Sequence, residues 1–226
     1  MKPILFNTEM VRAILDGRKT VTRRVVKLPS YVKRQPNGLF TLFAEGTCYE
    51  NQHIENMTDY LKPPYQVNDI LYVRETWNHY IYDNLSTGLH KEGYFYKASP
   101  EMKNTLPNYV QYHWGDKWKP SIHMPKEAAR IFLNVKDVRI ERLQSMKLDD
   151  ILNEGISILP EAFNDPDNAY WQARDAFSAL WNNTLGRKGT PEYYSNCWKG
   201  NPYVWVIEFE KLECNSMEEA LKQIGE

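Results

Sequence analysis

The chain has 226 residues, enough for one large domain or two small ones with a sizeable buried core. Hydrophobic residues make up 42% and charged residues 25%, which excludes a wholly disordered chain, a collagen and a coiled coil. The net charge is −1, yet residues 1–36 carry nine Lys or Arg against two Asp or Glu. Such a basic segment is compatible with a phosphate-bearing ligand, or with an ordinary solvated face.

The apolar segments and the cysteines predict the cellular location of the protein. The longest apolar runs are about five residues, against the roughly 20 that a transmembrane helix needs. The first seven residues lack the apolar core of a signal peptide. The three cysteines, Cys48, Cys197 and Cys214, are an odd number without Cys-x-x-Cys spacing. We therefore expect reduced thiols, a cytoplasmic location and no membrane partner.

Hydrophobic periodicity, β-branched runs and turn residues predict the elements. The first helix ends at Gly17, a residue suited to a left-handed helix cap. Glu75 shares the strand side of Leu71 and Val73 and is expected to face the interior. In chain order the prediction is a helix over 8–16, a strand over 20–27, turn-rich chain with weak strands over 28–66, a strand over 70–77, irregular hairpin and loop over 80–117, a strand over 129–139 with Ile131, Leu133 and Val135 inward, helices over 147–154 and 169–182, a strand over 203–210 and a final helix over 216–224.

Short strands mixed with short helices predict an α+β protein built on a small β-barrel. The sequence contains no internal repeat, no low-complexity tract and no linker that would separate two domains. We therefore expect a single domain over residues 1–226.

The segment from Gly17 to Arg24, Gly-Arg-Lys-Thr-Val-Thr-Arg-Arg, is the most informative. Lys19 and Thr22 are three residues apart, so on an ideal strand their side chains point to opposite faces. They can share a site only if the chain is still turning after Gly17. A threonine hydroxyl becomes a nucleophile when a base removes its proton, and a desolvated lysine can be that base. The alternative is a basic strand edge in which threonine serves β-propensity.

No metal or cofactor is expected. The sequence contains no dinucleotide-binding, P-loop, zinc-protease or nucleophile-elbow motif. His113 and His123 lack the closely spaced partner that histidine metal ligands usually have.

Gly17, Lys19 and Arg24 resemble the G-x-K-x-x-E-x-R signature of the ASCH domain family, with Thr22 in place of the glutamate. The run is similar to the G-R-K-T-x-T-x-R segment of small bacterial ASCH amidohydrolases, which deacetylate N4-acetylcytidine. In those enzymes the lysine and the second threonine are catalytic, with a glutamate from a later helical segment. The resemblance therefore implies a PUA-like open β-barrel with peripheral helices, and Lys19, Thr22 and Glu154 as catalytic residues.

Further segments resemble the larger ASCH-containing proteins of phages and prophages, and that likeness covers most of the chain. The small amidohydrolases match only the N-terminal motif, the 129–155 region and the final strand, so residues 28–120 are an insertion relative to them. The segments that resemble the larger phage and prophage proteins are Arg74-Glu75-Thr76-Trp77, residues 119–125, Ala128-Ala129-Arg130 and residues 205–209.

Two carboxylates support a site on physical grounds. A buried Glu75 needs a cation, for which Lys19, Arg24 or Arg130 is available; a structural ion pair and a ligand-binding role both remain open. Glu154 comes just before a predicted helix end, where the helix dipole disfavours negative charge. Helix stability therefore does not explain the placement of Glu154, although an exposed glutamate there would cost little.

The loop around residues 118–124 combines a stacking ring, a cation, a hydroxyl and an imidazole, a mixture that fits nucleobase recognition. Trp118 and Met124 could equally anchor the loop to the core. The residues expected to bind substrate are Arg24, Arg74, Glu75, Trp77, Trp118, Ser121, His123 and Arg130.

Three functions remain open at this point. The first is a nucleoside- or RNA-directed amidohydrolase acting on N4-acylated cytidine, with Thr22 as nucleophile, Lys19 as its activator, and Glu154 positioning Lys19 or relaying the proton. The second is a non-catalytic RNA-binding module that uses the same cleft and the basic N-terminal face. The third is a ribonuclease with His123 as acid–base catalyst and Lys19 or Arg130 stabilising charge.

Overall fold

The computed structural model describes residues 1–30, 32–35, 39–44, 47–84, 88–99, 111–112, 117–214 and 216–223. The chain divides into two compact units, each built from segments that are distant in sequence. Unit 1 comprises Met1–Thr20, Asn68–Val135 and Phe209–Glu226, and unit 2 comprises Val21–Val67 and Lys136–Glu208. Because the chain passes between the units at four places, no single linker marks a boundary. The single domain with an insertion over 28–120 stays a prediction.

Strands and helices are interspersed along the whole chain. The strands are β1 (Lys2–Leu5), β2 (Val21–Val25), β3 (Val32–Arg34), β4 (Phe40–Ala44), β5 (Thr47–Gln52), β6 (Ile70–Arg74), β7 (Trp77–Asn84), β8 (Leu89–Tyr96), β9 (Gln111–Tyr112), β10 (Phe132–Arg142) and β11 (Tyr203–Lys211). The α-helices among the described residues are α1 (Thr8–Leu15), α2 (Leu148–Leu152), α3 (Pro166–Thr184), α4 (Pro191–Asn196) and α5 (Met217–Gln223).

Local capping explains where α1 begins and ends. The side chain of Asn7 accepts a hydrogen bond from the Met10 N–H at 2.8 Å, which satisfies one of the open donors of the first turn. Gly17 has φ +74°, and the Arg18 N–H donates to the Ala13 carbonyl at 2.8 Å. This left-handed glycine cap ends the helix at the place that the sequence predicts.

Unit 1 is organised around a mixed sheet. β1 pairs in parallel with β6, and β6 pairs antiparallel with the first residues of β10. The sequence predicted one inward face for β10, but Phe132 and Asn134 are buried as well as Leu133. Phe132 belongs to a separate apolar cluster with Trp77 and Met124, so apolar side chains cover both faces of this part of β10.

Unit 2 contains the antiparallel pair β2–β11 and a separate sheet in the order β3-β4-β5. The helix α3 packs an apolar stripe with the spacing that the sequence indicates, including Ala173, Phe177 and Trp181. These side chains share a core cluster with Val204 and Val206 of β11. This packing holds β11 in place, and β11 in turn pairs with β2, which carries Thr22 and Arg24, two residues of the predicted site.

The α+β class is confirmed, and the sheets are open over the residues that the structure describes. The strand expected over 70–77 is two strands, because β6 ends at Arg74 and β7 begins at Trp77. Much of the irregular region is a regular hairpin of β7 and β8, while residues 100–110 and 113–116, with His113, lie outside the described residues. The final helix is confirmed as Met217–Gln223.

All three cysteines are free thiols; Cys48 is exposed, whereas Cys197 and Cys214 are buried. In the part of the chain that the structure describes, no helix combines the length and the apolar character needed to cross a membrane.

Candidate functional site

Lys19 is a buried cation in unit 1. Its backbone N–H donates to the Ala13 carbonyl at 3.0 Å, the same acceptor that Arg18 uses, so the chain is still turning after Gly17 as predicted. The Lys19 side chain is 2% exposed, and its Nζ lies 5.5 Å from the centre of the Phe6 ring. Burying an ammonium group is costly, which makes this position unusual for a lysine.

Thr22 and Arg24 lie on the same face of β2 in unit 2, because they are two residues apart on a strand. Thr22 is 1% exposed. The Nη1 of Arg24 donates to the Oγ1 of Thr22 at 3.0 Å and to the Arg23 carbonyl at 3.0 Å. The hydroxyl oxygen of Thr22 therefore accepts a charge-assisted hydrogen bond in a setting that excludes water.

Glu154 reaches β2 from the end of α2. That helix ends at Leu152 with Asn153 as its cap, so Glu154 follows the cap instead of preceding it as the sequence predicted. The Asn153 carbonyl accepts the Val21 N–H at 3.2 Å, which ties this turn to β2. Glu154 is 3% exposed and its Oε1 lies 3.1 Å from the Nη1 of Arg23.

Arg23 is a buried ion-pair centre that sequence reasoning missed. Its side chain is fully buried, 3.8 Å from carboxylate oxygens of both Glu141 and Asp150 in addition to the shorter contact with Glu154. Burial lowers the pKa of the neighbouring Arg24, and the negative charge of Glu154 acts in the opposite direction. Glu154 thus supplies counter-charge to two consecutive arginines.

A cavity of about 340 Å³ lies against Arg24, within unit 2. Its lining combines three cationic side chains with two aromatic ones and contains no carboxylate among the described residues. Arg24 is the one lining residue that the sequence predicted; Trp205 is its cross-strand neighbour on β11, and this pairing joins residues far apart in sequence. The lining residues are Arg24, Val25, Lys27, Lys62, Pro64, Tyr65 and Trp205.

Glu75 and Arg130 form a two-point ion pair in unit 1. The Nε of Arg130 donates to Oε1 of Glu75 at 2.9 Å, and its Nη2 donates to Oε2 at 3.2 Å. Glu75 is 1% exposed. The prediction that Glu75 is buried with a basic partner is confirmed, and of the three cations considered the partner is Arg130.

The same arginine has two further contacts. Its Nη2 donates to the Oγ of Ser99 at 3.0 Å, and its guanidinium carbon lies 4.0 Å from the centre of the Tyr96 ring. Burial raises the pKa of Glu75, and the hydrogen bonds from Arg130 oppose this shift without cancelling it. The two hydrogen bonds therefore hold the pair together in buried surroundings that disfavour the charged carboxylate.

Most of the other predicted substrate-binding residues surround a loop in unit 1. Arg74 donates to the carbonyls of Ile122 and Met124 and so anchors this loop to β6. Of its members, Ser121 is half-buried and His123 is exposed. Two rings lie nearby: the buried Trp77, with the Nζ of Lys119 at 5.1 Å from its ring centre, and the half-buried Trp118, which packs edge-on against Phe95.

The structure thus gathers the predicted residues into two groups, one in each unit. In unit 2, Arg24 is hydrogen-bonded to Thr22, while Glu154 is paired with Arg23, the residue between them; in unit 1, the pair of Glu75 and Arg130 is the centre of the group. The convergence of Lys19 with Thr22 and Glu154 stays a prediction. Chain geometry alone limits the Cα atoms of Lys19 and Thr22 to a separation of about 11 Å.

Within the described residues, no cluster of three or more His, Cys, Asp or Glu side chains is placed to hold a metal ion. Comparisons with models of known protein families, with curated proteins and with solved structures find no match to this chain.

Because the pKa of Glu75 is raised, we expect the free energy of unfolding to depend on pH. Between the ordinary pKa of 4.5 and the raised folded-state value, the folded protein binds more protons than the unfolded chain. The free energy of unfolding should therefore fall as pH rises through this window, and Glu75→Gln should remove that contribution. Urea unfolding at a series of pH values above about 4 measures both slopes. Equal slopes for the two proteins would contradict the assignment.

Proposed function

We propose that the protein acts on a nucleoside base, removing the acyl group from an N4-acylated cytidine. The observation that carries this proposal is the cavity against Arg24, because its walls combine aromatic rings with cationic donors. The rings of Trp205 and Tyr65 suit stacking against a base, which every nucleobase permits. The guanidinium of Arg24 suits the O2 and N3 acceptors of cytosine, since it carries only donors.

The arrangement around Thr22 supports its role as nucleophile. When the hydroxyl of Thr22 loses its proton, the hydrogen bond from Arg24 stabilises the developing negative charge on Oγ1. Glu154 pairs with Arg23, and its negative charge also acts on Arg24, the donor to Thr22. Lys19 is the predicted base for the proton of Thr22, on the strength of its burial and its place three residues earlier in the chain.

The proposed reaction consumes one water and needs no cofactor. Thr22 Oγ1 bonds to the acyl carbon, the bond from that carbon to N4 breaks, and N4 takes the proton that the base removed. Water then adds to the resulting threonine ester, which releases a carboxylic acid and restores the hydroxyl. The products are cytidine and the free acid.

The proposal is tested by incubating the purified protein with N4-acetylcytidine and longer N4-acylcytidines and following cytidine release by chromatography. Thr22→Val is the matched variant, because valine keeps the branched shape of threonine and lacks the hydroxyl. We expect turnover by the wild type and none above background by Thr22→Val, with both proteins folded by circular dichroism. Absence of turnover by the wild type, or full turnover by the variant, would refute the amidohydrolase.

A non-catalytic RNA-binding module is the second candidate, and one observation favours it. Thr22 is 1% exposed and does not line the cavity, whereas three cations do. An RNA binder would leave N4-acylcytidines intact, and its affinity for RNA would fall steeply with salt. The ribonuclease remains a prediction that rests on His123, which is exposed in unit 1.

We also propose that the chain is an ASCH protein with a PUA-like fold. The support is the local geometry of the signature residues. Gly17 ends a helix, Lys19 follows in the turn, and Arg24 lies on the strand that begins at Val21. The phage-related assignment rests on the sequence resemblance alone.

A further inference from the structure

The positive charge at the mouth of the cavity favours a negatively charged ligand over a neutral nucleoside. We propose that the ligand is a mononucleotide with a terminal phosphate, which Lys27 and Lys62 bind while the base lies against Arg24. This inference rests on the proposed function insofar as the base is placed in the same cavity. It adds the class of substrate and two residues that determine specificity.

The three cations of the cavity differ in how their charge is compensated. Arg24 is half-buried and hydrogen-bonded to Thr22, and the negative charge of Glu154 compensates part of its charge within the protein. Lys27 and Lys62 are exposed and form no ion pair with any described residue. The mouth therefore carries a positive charge of about two that the described lining residues leave unbalanced.

A terminal phosphate matches that charge. A phosphate monoester carries about −1.5 to −2 charges at neutral pH and offers several strong acceptors. A lysine ammonium is a flexible point charge that suits phosphate without a fixed approach direction. An uncharged nucleoside would leave both lysines without a role in the cavity.

The size and layout of the cavity favour a single nucleotide. A volume of about 340 Å³ is at the low end of the range for small-molecule sites, roughly 300–1,000 Å³. Lys27 lies three residues after Arg24, so their Cα atoms are at most about 11 Å apart, on the scale of one nucleoside. Lys62 precedes the Pro63-Pro64 turn, whose fixed φ angles hold Lys62 and Tyr65 on one short, stiff segment.

The inference is tested by titration calorimetry of the full chain with cytidine, 5′-CMP, 3′-CMP and an oligocytidine. We expect one of the two monophosphates to bind at least about tenfold more tightly than cytidine. In Lys27→Gln/Lys62→Gln that advantage, taken as the ratio of the two affinities within the same protein, should shrink to about twofold or less. The matched control is Lys188→Gln/Lys199→Gln, which changes two exposed lysines of unit 2 outside the cavity lining and should keep the full advantage.

Equal binding of cytidine and both monophosphates, or no measurable binding, would overturn the inference. So would an unchanged advantage in the cavity variant, or an oligocytidine that binds more tightly than either monophosphate, since the ligand would then be RNA. Failure of the proposed function gives a different result. In that case the monophosphate advantage persists, but N4-acetylcytidine and its monophosphates all remain intact. Hydrolysis of N4-acetylcytidine and its monophosphates with equal kcat/KM would keep the amidohydrolase and remove the phosphate site.

Discussion

We expect Arg130→Met to lower the free energy of unfolding by about 3–5 kcal/mol, because it leaves a buried carboxylate without its counter-ion. Glu75 is 1% exposed and receives two hydrogen bonds from Arg130. Methionine fills much of the space of the arginine stem but supplies neither the charge nor the donors. Burial already raises the pKa of Glu75, so removal of the opposing hydrogen bonds should raise this pKa further and make the loss larger at neutral pH than at low pH.

The control is an arginine whose ion pairs are open to solvent. Arg139 contacts Asp137, Glu141 and Glu208, and its side chain is 35% exposed. Arg139→Met should cost less than Arg130→Met, because Arg139 and its three partners all keep contact with water, which screens the charges that the substitution leaves.

The double variant Glu75→Gln/Arg130→Met should recover most of the stability lost in Arg130→Met, since no buried charge then lacks a partner. Urea unfolding of the four proteins measures these differences. Equal losses in Arg130→Met and Arg139→Met, or no recovery in the double variant, would show that the buried pair does not control the stability of unit 1.

Local signals predicted the elements that depend on neighbours in the chain. Gly17 ends α1 because only a residue tolerant of positive φ fits the cap, and this requirement is visible in the sequence. The stripe of α3 was equally readable, because helical spacing alone places Phe177 and Trp181 on one face. The burial of Glu75 followed from strand parity, even though the strand is interrupted directly after Arg74.

The contacts that define the candidate site depend on residues far apart in sequence. Arg23 and Glu154 are 131 positions apart, and no periodic pattern connects a strand residue to the end of a distant short helix. Tyr65 and Lys62 lie in the segment over 28–66, which the sequence predicted as turn-rich chain with weak strands. Their place in the cavity is set by tertiary packing, which propensity and periodicity do not encode.

The second large effect is expected on the turnover rate when Lys19 is substituted. If Lys19 accepts the proton of Thr22, Lys19→Arg should lower kcat by at least about 10²-fold, the lower end of the contribution of a general base. Arginine stays protonated in proteins and cannot take that proton, although it keeps the positive charge. Because Lys19 is buried, the larger side chain could disturb packing, so Lys19→Met is measured beside it and the unfolding of both is compared with the wild type.

Substitutions of Thr22, the proposed proton donor to Lys19, give a second series of variants. Thr22→Ala should abolish turnover, because no hydroxyl remains. Thr22→Ser should keep part of it, since serine retains the oxygen that accepts from Arg24 but lacks the methyl group that restricts χ1. Steady-state rates with N4-acetylcytidine measure this order, and equal rates for the alanine and serine variants would contradict the assignment of Thr22 as nucleophile.

The same substitution at Lys19 separates the two candidate functions, because they require different properties of lysine. For RNA binding only the charge of Lys19 matters, so Lys19→Arg should keep most of the affinity, Lys19→Met should weaken it, and the wild-type affinity should fall with salt. For the amidohydrolase both Lys19 variants should be inactive and cytidine release should depend little on salt. Lys27→Arg is the matched control, because Lys27 is exposed at the cavity and its proposed role needs only charge. A fully active Lys19→Arg enzyme would remove Lys19 as the base and leave Thr22 to be activated by another group.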